Sequence, residues 1–384
     1  MAENSSIAWT DHTFNPWEGC QKVGPGCAHC YAETRNARYG GGVAGNWGPG
    51  APRRRTSVSN WRKPLRWQKA ASAFLAEHGR RQRVFCASLA DVFDNAVDPA
   101  WRADLFELIR ATPDLGWLLL SKRIGNAAKL AAAAGGWPSN VWLGATIVDQ
   151  AEADRDIPKL LAVPAHVRFL SMEPLLGPVD LWQDGNGPFA DGHPTQGDVD
   201  GPLGLHYIRY GTPQLDWIIV GGESGPGARP MHPDWARSLR NQCAAVGVPF
   251  LFKQWGEWKP KRIEAGYDLG GDVRAGRVQI VHPSGRDPDA LFSETGRGSE
   301  PGSRYMTRIG KKVAGRLLDG MIHDGFPTIA PSSSGGEPDA APLTDPDAPA
   351  TVLADVSAPQ GRPVETRAAM PRGARGRKPE PVHV

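Results

Sequence analysis

Short stretches that are apolar at nearly every position recur along this chain: Arg83-Val84-Phe85-Cys86-Ala87-Ser88, residues 116–121, 140–146, 167–171, 215–221 and 249–253. Segments with helical spacing separate them, over 101–111 behind Pro99, 126–134, 150–161 and 233–245. Strands without a polar face are buried on both sides, and strands alternating with helices predict a parallel sheet covered by those helices. An open three-layer sheet and a β/α barrel share this pattern. The phase of the polar residues favours the barrel. Asp91, Lys122, Thr146, Glu173, Glu223 and Lys253 all fall at or just past a strand C-terminus, the rim on which barrel active sites collect. Any one of them would serve equally well as a helix cap or a solvated loop residue; their common phase is the signal. The expected fold class is therefore α/β, a partial (β/α)6 TIM-like barrel.

A chain of 384 residues with 14 Trp and 40% hydrophobic residues can fill one large domain and still carry extensions. The expected domain covers 1–320, interrupted by a Gly/Pro-rich loop insertion at 184–214 that reads equally as a lid or a surface loop. From 321 to 384 the chain is rich in Pro, Ala, Asp and Gly. Such a tail buries too little apolar surface to offset its chain entropy and is predicted to be disordered. The first residues, Ser5-Ser6-Ile7-Ala8-Trp9-Thr10-Asp11, have neither the basic start nor the apolar core of a signal peptide. No apolar run approaches a membrane span. A cytoplasmic protein without membrane contact is the expectation.

In a reducing compartment clustered cysteines point to metal or catalysis rather than to disulfides. Three of the five cysteines share one Gly- and Pro-rich loop, Gly19-Cys20-Gln21-Lys22-Val23-Gly24-Pro25-Gly26-Cys27-Ala28-His29-Cys30-Tyr31. Cys86 and Cys243 lie in apolar runs and read as buried bystanders. Three thiolates are one short of the four that close a structural zinc or iron–sulfur site. A zinc site would need His12 or His29 as the fourth ligand, and His29 is strained by its place between two of the cysteines. A [4Fe–4S] cluster held by Cys20, Cys27 and Cys30 would leave one iron open to a small molecule. Unrelated thiols are the third reading.

A three-cysteine loop directly after the first strand of a β/α barrel resembles the radical S-adenosylmethionine (SAM) superfamily. That superfamily usually spaces its cysteines Cys-x3-Cys-x2-Cys with an aromatic before the last. This chain has Cys-x6-Cys-x2-Cys, with His29 in the aromatic place and Tyr31 following. A group of phage and bacterial three-cysteine-motif proteins is more similar. The resemblance covers Trp9-Thr10-Asp11-His12-Thr13-Phe14-Asn15-Pro16, Gly19-Cys20 through Cys30-Tyr31-Ala32-Glu33, Gly221-Gly222-Glu223-Ser224-Gly225 and Phe252-Lys253-Gln254-Trp255-Gly256. It implies a barrel of radical SAM type whose Cys20, Cys27 and Cys30 hold a [4Fe–4S] cluster, with SAM on the fourth iron. One-electron cleavage of SAM would yield a 5′-deoxyadenosyl radical. The barrel would orient the cofactor and exclude water, and an electron donor such as flavodoxin or ferredoxin is an implied partner. Asp91, Glu223 and Glu173 are the expected contacts to the SAM amine and ribose. Gly221 and Gly222 are expected to let backbone approach the ligand closely. Lys122 and Lys253 would either bind an anionic group or pair with these acids.

Two segments point to DNA as the substrate. Between 53 and 83 stand Arg53, Arg54, Arg55, Arg62, Lys63, Arg66, Lys69, Arg80, Arg81 and Arg83, with Glu77 as the one acid and Trp61 and Trp67 interleaved. Cations neutralise phosphates and indoles stack on bases; an Arg-rich linker is the plainer reading. The end of the tail, Pro371-Arg372-Gly373-Ala374-Arg375-Gly376-Arg377-Lys378-Pro379, resembles an AT-hook, whose extended Arg-Gly-Arg core enters the minor groove. With the phage resemblance, this implies a radical isomerisation of an aminoacyl-thymidine during thymidine hypermodification, in a host cytoplasm. A DNA-lesion repair lyase and a non-enzymatic zinc-stabilised DNA-binding protein are the alternatives.

Overall fold

A computed structural model describes residues 5–181, 215–261, 269–286 and 301–328. The 184–214 insertion, the tail past 328 and its basic end lie outside the described residues. The chain enters with β1 (His12–Thr13) and β2 (Trp17–Glu18), and β3 (Arg54–Arg55) pairs antiparallel with β2. The apolar runs then form β4 (Gln82–Cys86), β5 (Leu115–Ser121), β6 (Val141–Thr146), β7 (Val167–Met172), β8 (Trp217–Gly221) and β9 (Phe250–Gln254). With β1 they make one seven-stranded sheet in the order β1-β4-β5-β6-β7-β8-β9, and every neighbouring pair is parallel. Each strand joins the same growing edge, so the twist accumulates and the sheet curls into a half-barrel. The six expected strands are present. The seventh, β1, is two residues long, too short for any periodicity, and is placed by pairing His12 with Val84 and Thr13 with Phe85.

Period-2 alternation sorts the strand residues onto two faces. Val84, Cys86, Trp117, Leu119, Leu143, Leu170, Ile218, Val220 and Phe252 pack outward. They meet the helices Pro99–Arg110, Ala127–Ala133, Gln150–Leu161 and Pro233–Val246, through Leu105, Phe106, Ala131, Ile157 and Leu239 among others. Phe85, Leu118, Trp142, Phe169, Trp217, Ile219 and Leu251 point the other way and form a second core with no helical residue in it. Trp9 completes that core, its ring 4.6 Å from Phe85 and 6.4 Å from Trp217 between centroids. The concave face thus has an aromatic floor. Continuing the alternation toward the strand C-termini puts Lys122, Thr146, Glu173 and Lys253 on the same face above it.

The N-terminal segment is latched to β4 rather than left loose. The Thr10 hydroxyl donates to the Arg83 carbonyl (2.8 Å) and accepts from the Phe85 N–H (3.1 Å). Asp11 takes both Arg80 guanidinium nitrogens at 2.7 and 2.8 Å. At the other sheet edge, Phe252 N–H donates to the His323 carbonyl and Gly325 N–H to that of Phe250. The segment 323–325 so covers β9, which would otherwise present an unpaired edge. A small antiparallel sheet of β10 (Trp258–Lys261), β11 (Val278–Val281) and β12 (Arg304–Arg308) follows β9. Among the described residues no helix is long and apolar enough to cross a membrane.

The basic stretch differs from its sequence reading. Arg53 is buried against Asp94 (2.8 Å), Arg54 pairs with Glu18 (2.5 Å) and Arg55 with Asp104 (2.7 Å). Trp67 is 4% exposed and stacked on His12 at 4.2 Å, so it is a core residue and not a platform for bases. Arg62, Arg66 and Lys69 remain exposed around the helix Lys63–Lys69. Sequence alone registered the cations but not Glu18, Asp94 and Asp104, which come from other parts of the chain.

Gly144 sits mid-strand in β6, where a Cβ would come within 2.3 Å of the buried Phe169 ring. Gly144→Ala is expected to cost about 1–3 kcal/mol through overpacking. Gly45→Ala, whose Cβ would meet nothing within 4 Å, is expected to be close to neutral. Thermal or denaturant unfolding of the two variants checks this; equal stability would refute the close packing of the floor.

Candidate functional site

The cysteine loop leaves β2 and returns over the C-terminal edge of the sheet. Gly19 N–H donates to the Leu89 carbonyl just past β4, and Cys20 N–H to the carbonyl of Asn46. Cys27 ends a short 3-10 turn, Pro25–Cys27, and Cys30 is the N-cap of α1 (Tyr31–Tyr39), where the helix dipole favours negative charge. The Tyr31 hydroxyl donates to the Ser88 carbonyl, beyond β4. Gly26 lies so close to the segments after β5, β6 and β7 that a Cβ would stand 2.7 Å from Val148 Cγ1, 3.5 Å from Lys122 Cε and 3.8 Å from Pro174 Cδ. The loop therefore spans the rim. Cys27 is buried, Cys20 and Cys30 are half-buried, and all three are free thiols.

Two rim carboxylates hold it there, each through an arginine. Asp91 is 5% exposed and fully engaged. Its Oδ1 accepts from Ser121 Oγ (2.8 Å) and Phe93 N–H (2.9 Å), its Oδ2 from Lys122 N–H (3.0 Å) and Arg123 Nη1 (3.3 Å). Arg123 in turn donates from Nη2 to the Gln21 carbonyl (2.7 Å) and from Nη1 to Cys20 Sγ (3.3 Å). Glu223, 6% exposed, receives Arg229 Nη2 at 2.7 Å on Oε1 and both Arg229 Nε and N–H at 2.8 Å on Oε2. The same Arg229 Nη2 donates to the Pro25 carbonyl (3.0 Å), and His29 Nδ1 lies 3.2 Å from Glu223 Oε2. Burial works to raise the Glu223 carboxyl, but the hydrogen bonds from Arg229 and His29 outweigh it and hold it below the usual range. Burial also raises the Cys20 thiol, against the opposing Arg123 charge.

Glu173 stands on the concave face between β8 and β9 residues. Lys253 Nζ lies 2.5 Å from its Oε2 and Gln254 Nε2 2.6 Å from its Oε1. This pair is still reachable, with side chains 17% and 19% exposed. Lys253 thus takes the pairing role of its two expected ones, while Lys122 Nζ donates to Thr146 Oγ1 (3.3 Å). Gly222 meets the chain itself: a Cβ there would lie 2.0 Å from the Trp255 carbonyl oxygen, and one on Gly256 2.0 Å from that of Glu223. The close approach expected of a ligand at Gly222 is made by the turn after β9. At Gly221 a Cβ would meet the Glu173 carboxylate, 3.1 Å from Oε1.

The sequence reading placed Asp91, Glu173 and Glu223 on one rim, and they stand there. It missed Arg123 and Arg229, which link two of them to the cysteine loop, and His29 as a partner of Glu223. The adjacency of Arg123 to Lys122 at a strand end was the available signal. Cys86 and Cys243 are fully buried, and burial pushes both thiols up, as inert core cysteines require.

The donor set, three thiols with a cationic N–H donor on the Cys20 sulfur and a helix N-terminus at Cys30, is of the kind that holds a thiolate-bound metal centre. Among the described residues no three His, Cys, Asp or Glu side chains are grouped to hold one metal ion. Residues 4–327 match the family described as a protein of unknown function, DUF5131, and the chain belongs to that family. No curated protein matches it.

Because Glu223 titrates lower in the folded state than in the unfolded one, its contribution to stability is complete above the unfolded carboxyl value of about 4.3 and is lost as pH falls through the folded value. Glu223→Gln is therefore expected to be less stable than wild type at neutral pH, with the gap closing below about pH 4. Denaturant unfolding at both pH values checks it; a gap that widens in acid would contradict the ion-pair assignment.

Proposed function

We propose that this DUF5131 protein is a radical SAM enzyme. Cys20, Cys27 and Cys30 would hold a [4Fe–4S] cluster above the concave face of a barrel of radical SAM type. When bound, the cluster and SAM supply one-electron cleavage of SAM and a 5′-deoxyadenosyl radical that abstracts hydrogen from the substrate. The observation that carries the reading is the seat of the cysteine loop, laid across the C-terminal strand ends and fastened by Asp91–Arg123 and Glu223–Arg229.

The chain's own groups would divide the remaining work. The aromatic floor of Phe85, Trp142, Phe169 and Trp217 closes the concave face from below and keeps water from that side. Glu173 and Lys253 are the rim groups with exposure to spare; Glu173 would meet the SAM amine or ribose and Lys253 an anionic group. Asp91 and Glu223, saturated by protein donors, would act on the cofactor through the loop they hold. Gly221 would border the same space, and Gly222 would shape it through the turn it packs against.

The substrate in this proposal is a modified base in DNA, with isomerisation of an aminoacyl-thymidine as the specific reaction. Its support is the exposed cations Arg62, Arg66 and Lys69 and the Arg-Gly-Arg end of the tail. Electrons would come from a donor of the flavodoxin or ferredoxin type.

Anaerobic reconstitution is expected to give about four irons with matching sulfide per chain, and 5′-deoxyadenosine on addition of SAM and dithionite. Cys27→Ala should lose both, while Cys243→Ala should keep both. One zinc per chain without iron would contradict the enzyme reading. Incubation with DNA carrying aminoacyl-thymine, followed by nucleoside analysis, tests the substrate; an unchanged nucleoside profile rejects it.

A further inference from the structure

Arg123 is placed unlike a residue that merely ties a loop to a strand. Its side chain is 10% exposed, and an arginine buried to that degree keeps its charge and needs partners for it. The Asp91 oxygens already accept hydrogen bonds from Ser121 Oγ and the Phe93 and Lys122 N–H groups at 2.8 to 3.0 Å, so Arg123 brings them counter-charge, at 3.3 Å, and not a missing donor. Asp94, 4.0 Å from Arg123 Nε, is held by Arg53 at 2.8 Å. One arm of the guanidinium fork, Nη2, donates to the Gln21 carbonyl at 2.7 Å, and the other, Nη1, is shared between Asp91 Oδ2 and Cys20 Sγ, each at 3.3 Å. Of the three loop cysteines, Cys20 is the one whose sulfur receives a charged donor among the described residues.

We propose that Arg123 is a positioning residue that fixes the Cys20 sulfur for cluster ligation and raises the cluster's reduction potential. This rests on the cluster reading above. An N–H donor and a positive charge at a ligating sulfur stabilise the more negative, reduced cluster, and hydrogen bonds to the sulfurs and local charge are established determinants of such potentials. Asp91, whose Oδ2 lies 3.3 Å from the same Nη1 that reaches Cys20 Sγ, opposes the effect and sets its size. The carboxylate that sequence reading places on the cofactor thereby acts two contacts away, through Arg123.

The test is an anaerobic redox titration of the reconstituted full-length protein, followed by electron paramagnetic resonance, with iron and sulfide measured on each sample. At the wild-type midpoint, Arg123→Gln is expected to lower the ratio of reduced to oxidised cluster about tenfold, a shift of about 59 mV to more negative potential for one electron. Asp91→Asn, which removes the nearer of the two acids beside the guanidinium, is expected to shift the midpoint in the opposite direction and covers the case in which Arg123→Gln fails to fold. A cluster-loaded Arg123→Gln with the wild-type midpoint, or Asp91→Asn unshifted, overturns the assignment of Arg123 alone. Wild-type protein that takes up no iron removes the cluster reading and this inference together.

Discussion

A carboxylate buried at the end of a parallel strand must be neutralised, and this fold does so twice with an arginine that reaches further. Asp91 past β4 and Glu223 past β8 are both nearly inaccessible. Leaving either charge unpaired would cost several kcal/mol. Their partners, Arg123 and Arg229, each spend a second hydrogen bond on a backbone carbonyl of the cysteine loop, at Gln21 and at Pro25. Without these two links the loop would be a Gly- and Pro-rich excursion tied down mainly at its ends. With them, the loop that carries the three thiols is fastened to two strand ends of the sheet. Fastening of that kind is what a site needs when its ligands must be in place before the ligand arrives.

The concave face supplies the other half of the arrangement. Alternation along each strand sends one set of side chains to the helices and the other inward, and the inward set changes character with height. Trp142, Phe169 and Trp217 fill the lower layer; Gly144 makes room for the Phe169 ring; Thr146, Glu173 and Lys253 follow at the rim. A half-barrel built this way is solid at one end and polar at the other. The cysteine loop covers the polar end.

The strands were legible because continuous apolar runs of four to seven residues leave little choice of environment, and the phase of polar residues after them located the rim. The motif from Trp9 to Pro16 carried no readable chemistry, and its role is structural: Trp9 plugs the floor, Thr10 and Asp11 bind β4, and Asn15 ties the exits of β1 and β4 through the Leu89 N–H at 2.8 Å. β1 itself was invisible, since two residues have no period. The arginine-rich stretch was legible only in part, because the acids that pair with Arg53, Arg54 and Arg55 lie elsewhere in the chain, and Trp67 was misread because its stacking on His12 depends on a contact across more than fifty residues. Asp91 and Glu223 were found, but not their reach. Which charge satisfies a buried carboxylate is decided by tertiary geometry, and one sequence does not contain it in readable form.

In the proposed site, three thiolates leave one iron of the cluster open. Electron paramagnetic resonance of the reduced, reconstituted protein with and without SAM tests it most directly. A vacant iron that takes SAM should give a spectrum whose g values change on SAM addition. Identical spectra, or a fourth side chain found on the iron, would contradict it.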